Sequence, residues 1–440
     1  MHSYLPEFAT RAVPRYTSYP TAAEFGDRVG AEEQAAAIAA VQPGEAVSLY
    51  LHIPYCQSIC WYCGCNTGAI GRADRLTHYV DALMSEIAMV GRHCGGTVTA
   101  VHFGGGSPNA LTPQQLSAIA DGLYQHFNLA EDAEWAAEID PRSFHADHAR
   151  AFAEMGVGRI SVGAQTFAPA IQAAIGRVQP FATVSAAIDD ARAAGIGRIN
   201  LDLMYGLPGQ GEADIEATIA AGLTLEPDRI AMFGYAHMPR LLPRQRLIDT
   251  AALPDGAARF AQSALAYDRL VEAGFQAIGF DHFAMPDDSL AIAARAGMLR
   301  RNFQGFTDDQ AGTLIGLGAS AISQFPGVIV QNEKHVGQYR LRALNGRLAG
   351  VRGVMRDGEE QLRGAAIERL LCDGTIDLAS LSPRILPDAG RWDELIAAGI
   401  VVRHGDRVTI TPTGRPYARL AAVLFDAHRA PGQQRFSLAV

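Results

Sequence analysis

Between residues 46 and 236, short apolar runs alternate with helix-length amphipathic stretches, and no other feature restricts the possible folds of this chain as strongly. Such alternation predicts repeated strand-crossover-strand units around a parallel sheet, because the helices need the sheet's faces to bury their apolar stripes. Six strands are expected: Ala46 to Ile53, Thr97 to Phe103, Glu134 to Ile139, Arg159 to Val162, Arg198 to Leu203 and Arg229 to Phe233. Helices are expected between them, clearest over Asp74 to His93, Pro113 to Phe127 and Glu212 to Leu223. No internal repeat is visible.

Residues with chemical capacity gather just after these strands. A cysteine loop follows the first, and Gly104-Gly105-Gly106-Ser107-Pro108 follows the second. Glu138 and Asp140 end the third, Gln165 follows the fourth, Asp202 and Tyr205 close the fifth, and Tyr235 and His237 follow the sixth. Parallel α/β barrels and open sheets carry their chemistry at the carboxyl ends of strands, so these clusters predict one active-site face.

The 440 residues exceed what one hydrophobic core usually serves, which predicts a large unit with a smaller one attached. Beyond residue 250 the pattern loosens into a helix from Gly256 to Ala273, a strand from Phe275 to Phe280, and Asp281-His282-Phe283-Ala284. The last ninety or so residues read as helices plus a hairpin, Ile400 to Ile410, turning at His404-Gly405-Asp406, and resemble a winged-helix unit. The expected division is an N-terminal segment 1–45, a catalytic unit 46–350 and a helical C-terminal domain 351–440.

Composition removes several classes of function. Thirty-seven basic against 46 acidic side chains give a charge of -9, which disfavours a nucleic-acid partner. Lys334 is the single lysine and stands in Asn332-Glu333-Lys334-His335, so neither a P-loop nor a lysine Schiff-base enzyme fits. The first twenty residues contain no signal-like apolar core and nowhere do 18 apolar residues run together, so a cytoplasmic protein without a membrane span is expected.

Four of the six cysteines, Cys56, Cys60, Cys63 and Cys65, fall within ten residues as C-x3-C-x2-C-x-C. A structural zinc site usually draws on two separated pairs, and no second C-x2-C pair exists here. Three thiolates from one loop instead suit three irons of a four-iron cube whose fourth iron stays open. Zinc and buried packing cysteines are the competing readings. Cys94 and Cys372 stand alone and are expected to be packing residues.

With Tyr62 before Cys63, the loop is similar to the motif of the radical S-adenosylmethionine superfamily. Gly104-Gly105-Gly106 lacks Cβ atoms, so its carbonyls are expected to meet the methionine ammonium of that cofactor and its N–H groups the carboxylate. Glu138 and Asp202 are suited to accept ribose hydroxyls. Gly316-Leu317-Gly318-Ala319-Ser320-Ala321 matches a loose dinucleotide fingerprint, discounted because no clear strand precedes it.

The wider chain resembles the oxygen-independent coproporphyrinogen III oxidases, also called coproporphyrinogen dehydrogenases. The resemblance runs through Pro14-Arg15-Tyr16-Thr17-Ser18-Tyr19-Pro20-Thr21, Tyr50-Leu51-His52-Ile53-Pro54, Cys63-Gly64-Cys65-Asn66 and Asp202-Leu203-Met204-Tyr205-Gly206-Leu207-Pro208. It continues through Tyr235-Ala236-His237, Asp281-His282-Phe283-Ala284 and Arg301-Asn302-Phe303-Gln304-Gly305 to a tail, Gln434-Arg435-Phe436-Ser437.

The resemblance implies a partial (β/α)6 barrel whose open face is covered by the N-terminal segment and the C-terminal domain. The implied reaction is oxidative decarboxylation of two propionates of coproporphyrinogen III to vinyl groups, giving protoporphyrinogen IX in haem synthesis. A 5'-deoxyadenosyl radical would take hydrogen from the propionate β-carbon, and the substrate radical would lose carbon dioxide and an electron. An electron donor for the cluster and an external electron acceptor are then required, and the family acts as monomers.

By position the resemblance assigns a [4Fe-4S] cluster to Cys56, Cys60 and Cys63, with Cys65 nearby but not a ligand. It places Tyr50, Tyr62, Gly105, Gly106, Ser107, Glu138, Gln165, Arg177, Asp202, Ala236 and Ile322 on S-adenosylmethionine. Arg15 and Arg301 are the candidates for holding substrate carboxylates bidentately. Ser107 stands where the family has Thr, and Phe280 where it has Met before Asp281-His282; neither is expected to abolish activity.

Two rival readings are open on sequence. A related haem chaperone group shares the barrel and the three-cysteine loop, but typically lacks both the extra cysteine and the Pro-Arg-Tyr-Thr-Ser-Tyr-Pro segment that are present here. A cluster-sensing DNA-binding regulator would use the winged-helix resemblance, yet residues 384–435 carry eight Arg and five acids with no dense basic stretch.

Overall fold

Strands β1 (Ala46–Ile53), β2 (Thr97–Gly105), β3 (Asn128–Ile139), β4 (Val157–Gln165), β5 (Arg198–Tyr205) and β6 (Arg229–Gly234) run parallel and pair in chain order. All six fall where the sequence predicts them, β1 with the predicted bounds and β2 to β6 longer at one or both ends. The structure is a computed structural model describing residues 2–71, 73–388 and 390–429. The tail motif Gln434-Arg435-Phe436-Ser437 lies outside the described residues.

Each parallel strand is covered on both faces, so its residues are apolar without strict alternation; Val47, Leu49, Leu51 and Ile53 of β1 are all buried. The crossover helices supply the cover. Ala73–Gly91 turns Leu76, Tyr79, Val80, Leu83, Ile87 and Val90 inward at spacings of three and four. Pro113–His126 starts at a reciprocal cap in which Gln115 N donates to Thr112 Oγ1 and Thr112 N donates to Gln115 Oε1, worth about 1 kcal/mol.

The sheet extends at both edges, and of these extensions the sequence predicts only a strand over Phe275 to Phe280, which is found at Gln276–Ile278. After β6, the strands β7 (Gln276–Ile278) and β8 (His282–Ala284) form an antiparallel hairpin, and β8 pairs with β6. On the opposite edge β9 (Thr313–Leu317) lies parallel to β1 and leads into an antiparallel meander of β10 (Ile322–Phe325), β11 (Val328–Asn332) and β12 (Gly350–Met355). The twelve-stranded order is therefore β12-β11-β10-β9-β1-β2-β3-β4-β5-β6-β8-β7.

Strand β9 corrects one expectation: a strand does precede the Gly316 to Ala321 segment. The dinucleotide reading still fails, because the segment turns into β10 and no helix opens there. Gly316 is needed for packing, since a Cβ would stand 2.6 Å from the Ile322 carbonyl oxygen.

The sheet continues through Met355, five residues past the expected boundary at 350, and Gly26 of the N-terminal segment exchanges backbone hydrogen bonds with Gly353. After it, helix Gly358–Asp373, helix Gly390–Ala397 and a three-stranded antiparallel sheet of Thr375–Asp377, Arg407–Ile410 and Val401–His404 make the C-terminal unit. Its core joins Leu370, Trp392, Tyr417 and Phe425 to Phe8, Val13, Tyr16 and Tyr19 from the chain's beginning. The segment bearing Arg15 is thereby packed against the C-terminal unit.

Candidate active site

The cysteine loop leaves β1 at Ile53 and is tied down at several points. Tyr55–Cys56 pairs with Gly68–Ala69, Trp61 N donates to Ile175 O at 3.0 Å, and Gln245 Nε2 donates to Tyr62 O at 2.8 Å. Arg244 Nη2 donates to Thr67 O at 2.8 Å. A loop of this length held by distant elements presents its side chains in one arrangement, which a metal centre needs.

Cys56, Cys60, Cys63 and Cys65 line one cavity of about 380 Å³ at the carboxyl ends of the parallel strands. Cys60 Sγ accepts from Arg142 Nη2 at 3.3 Å and Arg177 Nη1 at 3.2 Å, while Cys56 Sγ lies 3.3 Å from Thr67 Oγ1. Cys65 N donates to Cys63 Sγ at 3.4 Å. None of the six cysteines is in a disulfide. Among the described residues no three thiol, imidazole or carboxylate groups converge closely enough for a single metal ion. Three free thiols from one loop on one cavity wall, with two arginine donors on Cys60, suit a multi-iron anionic cluster better than one tetrahedral zinc.

The glycine loop forms the adjoining wall, and here one expectation is corrected. Its N–H groups are not free for a ligand carboxylate: Gly105 N donates to Glu138 Oε2, Gly106 N to Ile53 O and Ser107 N to Tyr55 O. The glycines instead let the turn press against the cysteine loop, since a Cβ on Gly106 would lie 2.6 Å from Tyr55 O and one on Gly105 2.6 Å from the His52 ring. Gly105 also has φ +108, a conformation open mainly to glycine.

Acids and arginines complete the cavity. Burial pushes the Asp140 carboxyl up, but the Arg142 hydrogen bond and the charges of Arg177 and Arg142 outweigh it and hold Asp140 below the ordinary range. Glu138 is likewise pushed up by burial, then brought below the usual value by His102 and by the Gly105 N–H. Asp202 differs: burial raises it to about 6 although Ser161 Oγ and Asn200 Nδ2 donate to it, because Glu138 adds a like charge. His52 is kept neutral by burial; its Nε2 faces the Asn66 carbonyl at 3.0 Å and so carries the proton, leaving Nδ1 to accept from Tyr50 Oη at 3.2 Å.

Cys56, Cys60, Cys63, Tyr62, Gly105, Gly106, Glu138, Gln165, Arg177, Asp202, Ala236 and Arg15 are all on the wall of this cavity. Tyr50, Ser107, Ile322 and Arg301 are not. Tyr50 sits behind Glu138, stacked on His102 with ring centroids 5.9 Å apart. Ser107 is buried, its Oγ donating to Asn109 Oδ1 at 2.8 Å, and Ile322 lies at the β9–β10 turn. Arg301 donates to the carbonyls of Arg15 and Tyr16 and lies over Phe306 and Phe280, 4.3 and 4.8 Å from the ring centroids. It thus anchors the segment that carries Arg15.

Sequence reasoning missed Arg142, Thr67, Arg244 and Gln245. Arg142 had a signal, because Asp140-Pro141-Arg142-Ser143 after a strand is a turn that throws the third side chain back over the strand end. Arg244 and Gln245 lie in an irregular stretch about 180 residues from the loop they support, and nothing local marks them.

Residues 50–221 match the Radical SAM superfamily. Over 98% of both chains, the protein is 42% identical to the oxygen-independent coproporphyrinogen III oxidase of Bradyrhizobium diazoefficiens. The chain belongs to the oxygen-independent coproporphyrinogen III oxidase family. Another relative, the anaerobic coproporphyrinogen III oxidase 1 of Cereibacter sphaeroides, is 41% identical over 97% of this chain and 96% of its own. The structure of coproporphyrinogen III oxidase from Escherichia coli, described as a radical SAM enzyme, superposes with a TM-score of 0.89 at 34% identity, covering 94% of this chain and 98% of that one. With this family come its cofactors, S-adenosylmethionine and a [4Fe-4S] cluster, and the thiols and acids of the cavity fit both.

Proposed function

We infer that this protein performs the oxygen-independent oxidative decarboxylation of two propionates of coproporphyrinogen III to vinyl groups, yielding protoporphyrinogen IX for haem synthesis. One observation carries the reading: a cavity that combines three free thiols of the C-x3-C-x2-C loop with Glu138 and Asp202, in a chain that belongs to this family along nearly its whole length.

In this reading Cys56, Cys60 and Cys63 hold the cluster, which with S-adenosylmethionine supplies the 5'-deoxyadenosyl radical. The chain's own residues bind and orient. Asp202 and Glu138 accept the ribose hydroxyls, and Arg177, already against Cys60 Sγ and Asp140, offers a fixed charge to a carboxylate. Tyr62, Gln165 and Ala236 flank that place, with Tyr50 supporting Glu138 from behind. Arg142 and Arg177 oppose the negative charge of the thiolates.

Arg15 enters the cavity from the N-terminal segment and is a carboxylate holder for the substrate; Arg301 positions it. The segment 1–45 and the C-terminal unit together form the cover of the open end. An electron donor and an electron acceptor act with the enzyme, which works as a cytoplasmic monomer. Among the described residues no helix is long and apolar enough to cross a membrane.

The test is an anaerobic assay of the reconstituted protein with S-adenosylmethionine, a reductant, coproporphyrinogen III and a cell extract as acceptor source, following vinyl products and 5'-deoxyadenosine. Vinyl porphyrin formed only with both cofactors, and lost in Cys56→Ser, supports the reading. Tight haem binding without decarboxylation would move the protein to the haem chaperones.

A further inference from the structure

Beside the cavity lies a second, smaller chamber of about 40 Å³, lined by Arg15, Tyr205, Gly234, Phe280, Asp281 and Arg419 among others. Space of this size takes a carboxylate head in place of about three waters. Arg15 and Gly234 belong to the walls of both spaces, so they mark the passage between them. Gly234 is the narrow point: a Cβ there would lie 2.8 Å from Tyr205 Oη and 3.2 Å from Arg259 Nη2. On the other side, Arg15 Nη2 donates to the Gly234 carbonyl at 2.8 Å.

The passage is therefore ringed by donors. Arg259 lies with its guanidinium carbon 5.7 Å from the Tyr205 ring centroid, and among the described residues neither that guanidinium nor Tyr205 Oη has a hydrogen-bond partner. The acid of the chamber, Asp281, is already engaged by His282 Nδ1 at 2.7 Å, and among the described residues no arginine lies within ion-pair distance of it. Burial pushes the Arg259 guanidinium down and the neighbouring Arg15 charge adds to the effect, as expected where positive charge lacks an anion. Two guanidinium groups with open donors, beside a gap kept clear by a glycine, form a site for an anion that arrives with the ligand.

We propose that Arg15, Arg259 and Tyr205 Oη hold a non-reacting carboxylate of the substrate where it passes Gly234 into this chamber. The assignment rests on the function proposed above, since a tetrapyrrole with four propionates keeps two that do not react. It gives the substrate a fixed orientation, with the retained carboxylates at the Arg259 end and the reacting ones toward the cysteine loop.

The test uses the reconstituted protein without S-adenosylmethionine and two probes, coproporphyrin III and its tetramethyl ester, with binding followed by fluorescence. Native protein is expected to favour the free acid, and Arg259→Ala to weaken free-acid binding about 10- to 100-fold while leaving the ester unchanged. Tyr205→Phe is expected to weaken it several-fold and serves if Arg259→Ala does not fold. Free-acid affinity within twofold of native in both variants overturns the chamber while leaving the proposed function in place. Native protein that neither binds the free acid nor converts coproporphyrinogen III overturns the functional reading, and this site with it.

Discussion

Arg142 Nη2 lies 3.3 Å from Cys60 Sγ and 2.6 Å from Asp140 Oδ2, so one guanidinium joins a candidate cluster ligand to the end of the third strand. A hydrogen bond to a ligand sulfur stabilises the more negative, reduced state of a cluster.

Arg142→Met is therefore expected to make the reduction potential of the reconstituted cluster more negative. One lost hydrogen bond of about 1 kcal/mol corresponds to about 40 mV for a one-electron couple. A redox titration followed by electron paramagnetic resonance checks this, and an unchanged potential would place the role of Arg142 in folding alone.

Asp202 gives a pH dependence. Burial raises its carboxyl to about 6, so it is ionised above that pH and protonated below it. The ionised form accepts ribose hydroxyls on both oxygens, so S-adenosylmethionine affinity is expected to fall as pH drops from 7 through 6 and to recover on return. Asp202→Asn is expected to bind about tenfold more weakly at pH 8, with the pH dependence between 5 and 7 flattened. Calorimetric titration across that range reads both effects.

Gly106→Ala is expected to impair cluster assembly. The added Cβ meets Tyr55 O at 2.6 Å and Ile53 O at 2.8 Å, backbone atoms at the base of the cysteine loop that cannot swing aside. Overpacking of this kind costs about 1–3 kcal/mol and shifts the loop. Iron and sulfide content after reconstitution is the measurement; full occupancy at native stability would contradict it.

Arg229 and Asp288 form a buried ion pair, Nε to Oδ1 at 2.8 Å, with Ser289 Oγ accepting from Nη2 at 2.9 Å. Arg229→Met strands the Asp288 carboxylate inside the protein and is expected to cost about 3–5 kcal/mol in denaturant unfolding. The pair Arg229→Met with Asp288→Asn should recover part of that loss. Equal loss in single and double variants would show that packing, not the stranded charge, is responsible.

Phe280, the departure from the family's Met, turns out to present its ring to Arg301 and Arg419, with guanidinium carbons 4.8 and 5.6 Å from its centroid. An aromatic face attracts cations, so the substitution keeps an apolar body while adding a contact that Met makes less well. Ser107 keeps the hydroxyl in use, donating to Asn109 Oδ1.

The amino-acid sequence made the six parallel strands, their helices and the strand ends that line the cavity legible, because the periodicity of burial and the turn residues are written locally. It also marked Cys56, Cys60 and Cys63, Glu138 and Asp202, since each stands at a strand end or in a short loop beyond one. Tertiary packing settled that β9, which includes Gly316, joins the sheet beside β1, and that the glycine-loop N–H groups are consumed by Glu138, Ile53 and Tyr55. It alone brought Arg244 and Gln245 to the cysteine loop and Arg15 to Gly234, across separations of about 180 and 219 residues. A hydrogen bond's partner depends on where the backbone returns in space, which local pattern does not encode; the apolar repeat that fixes the strands does.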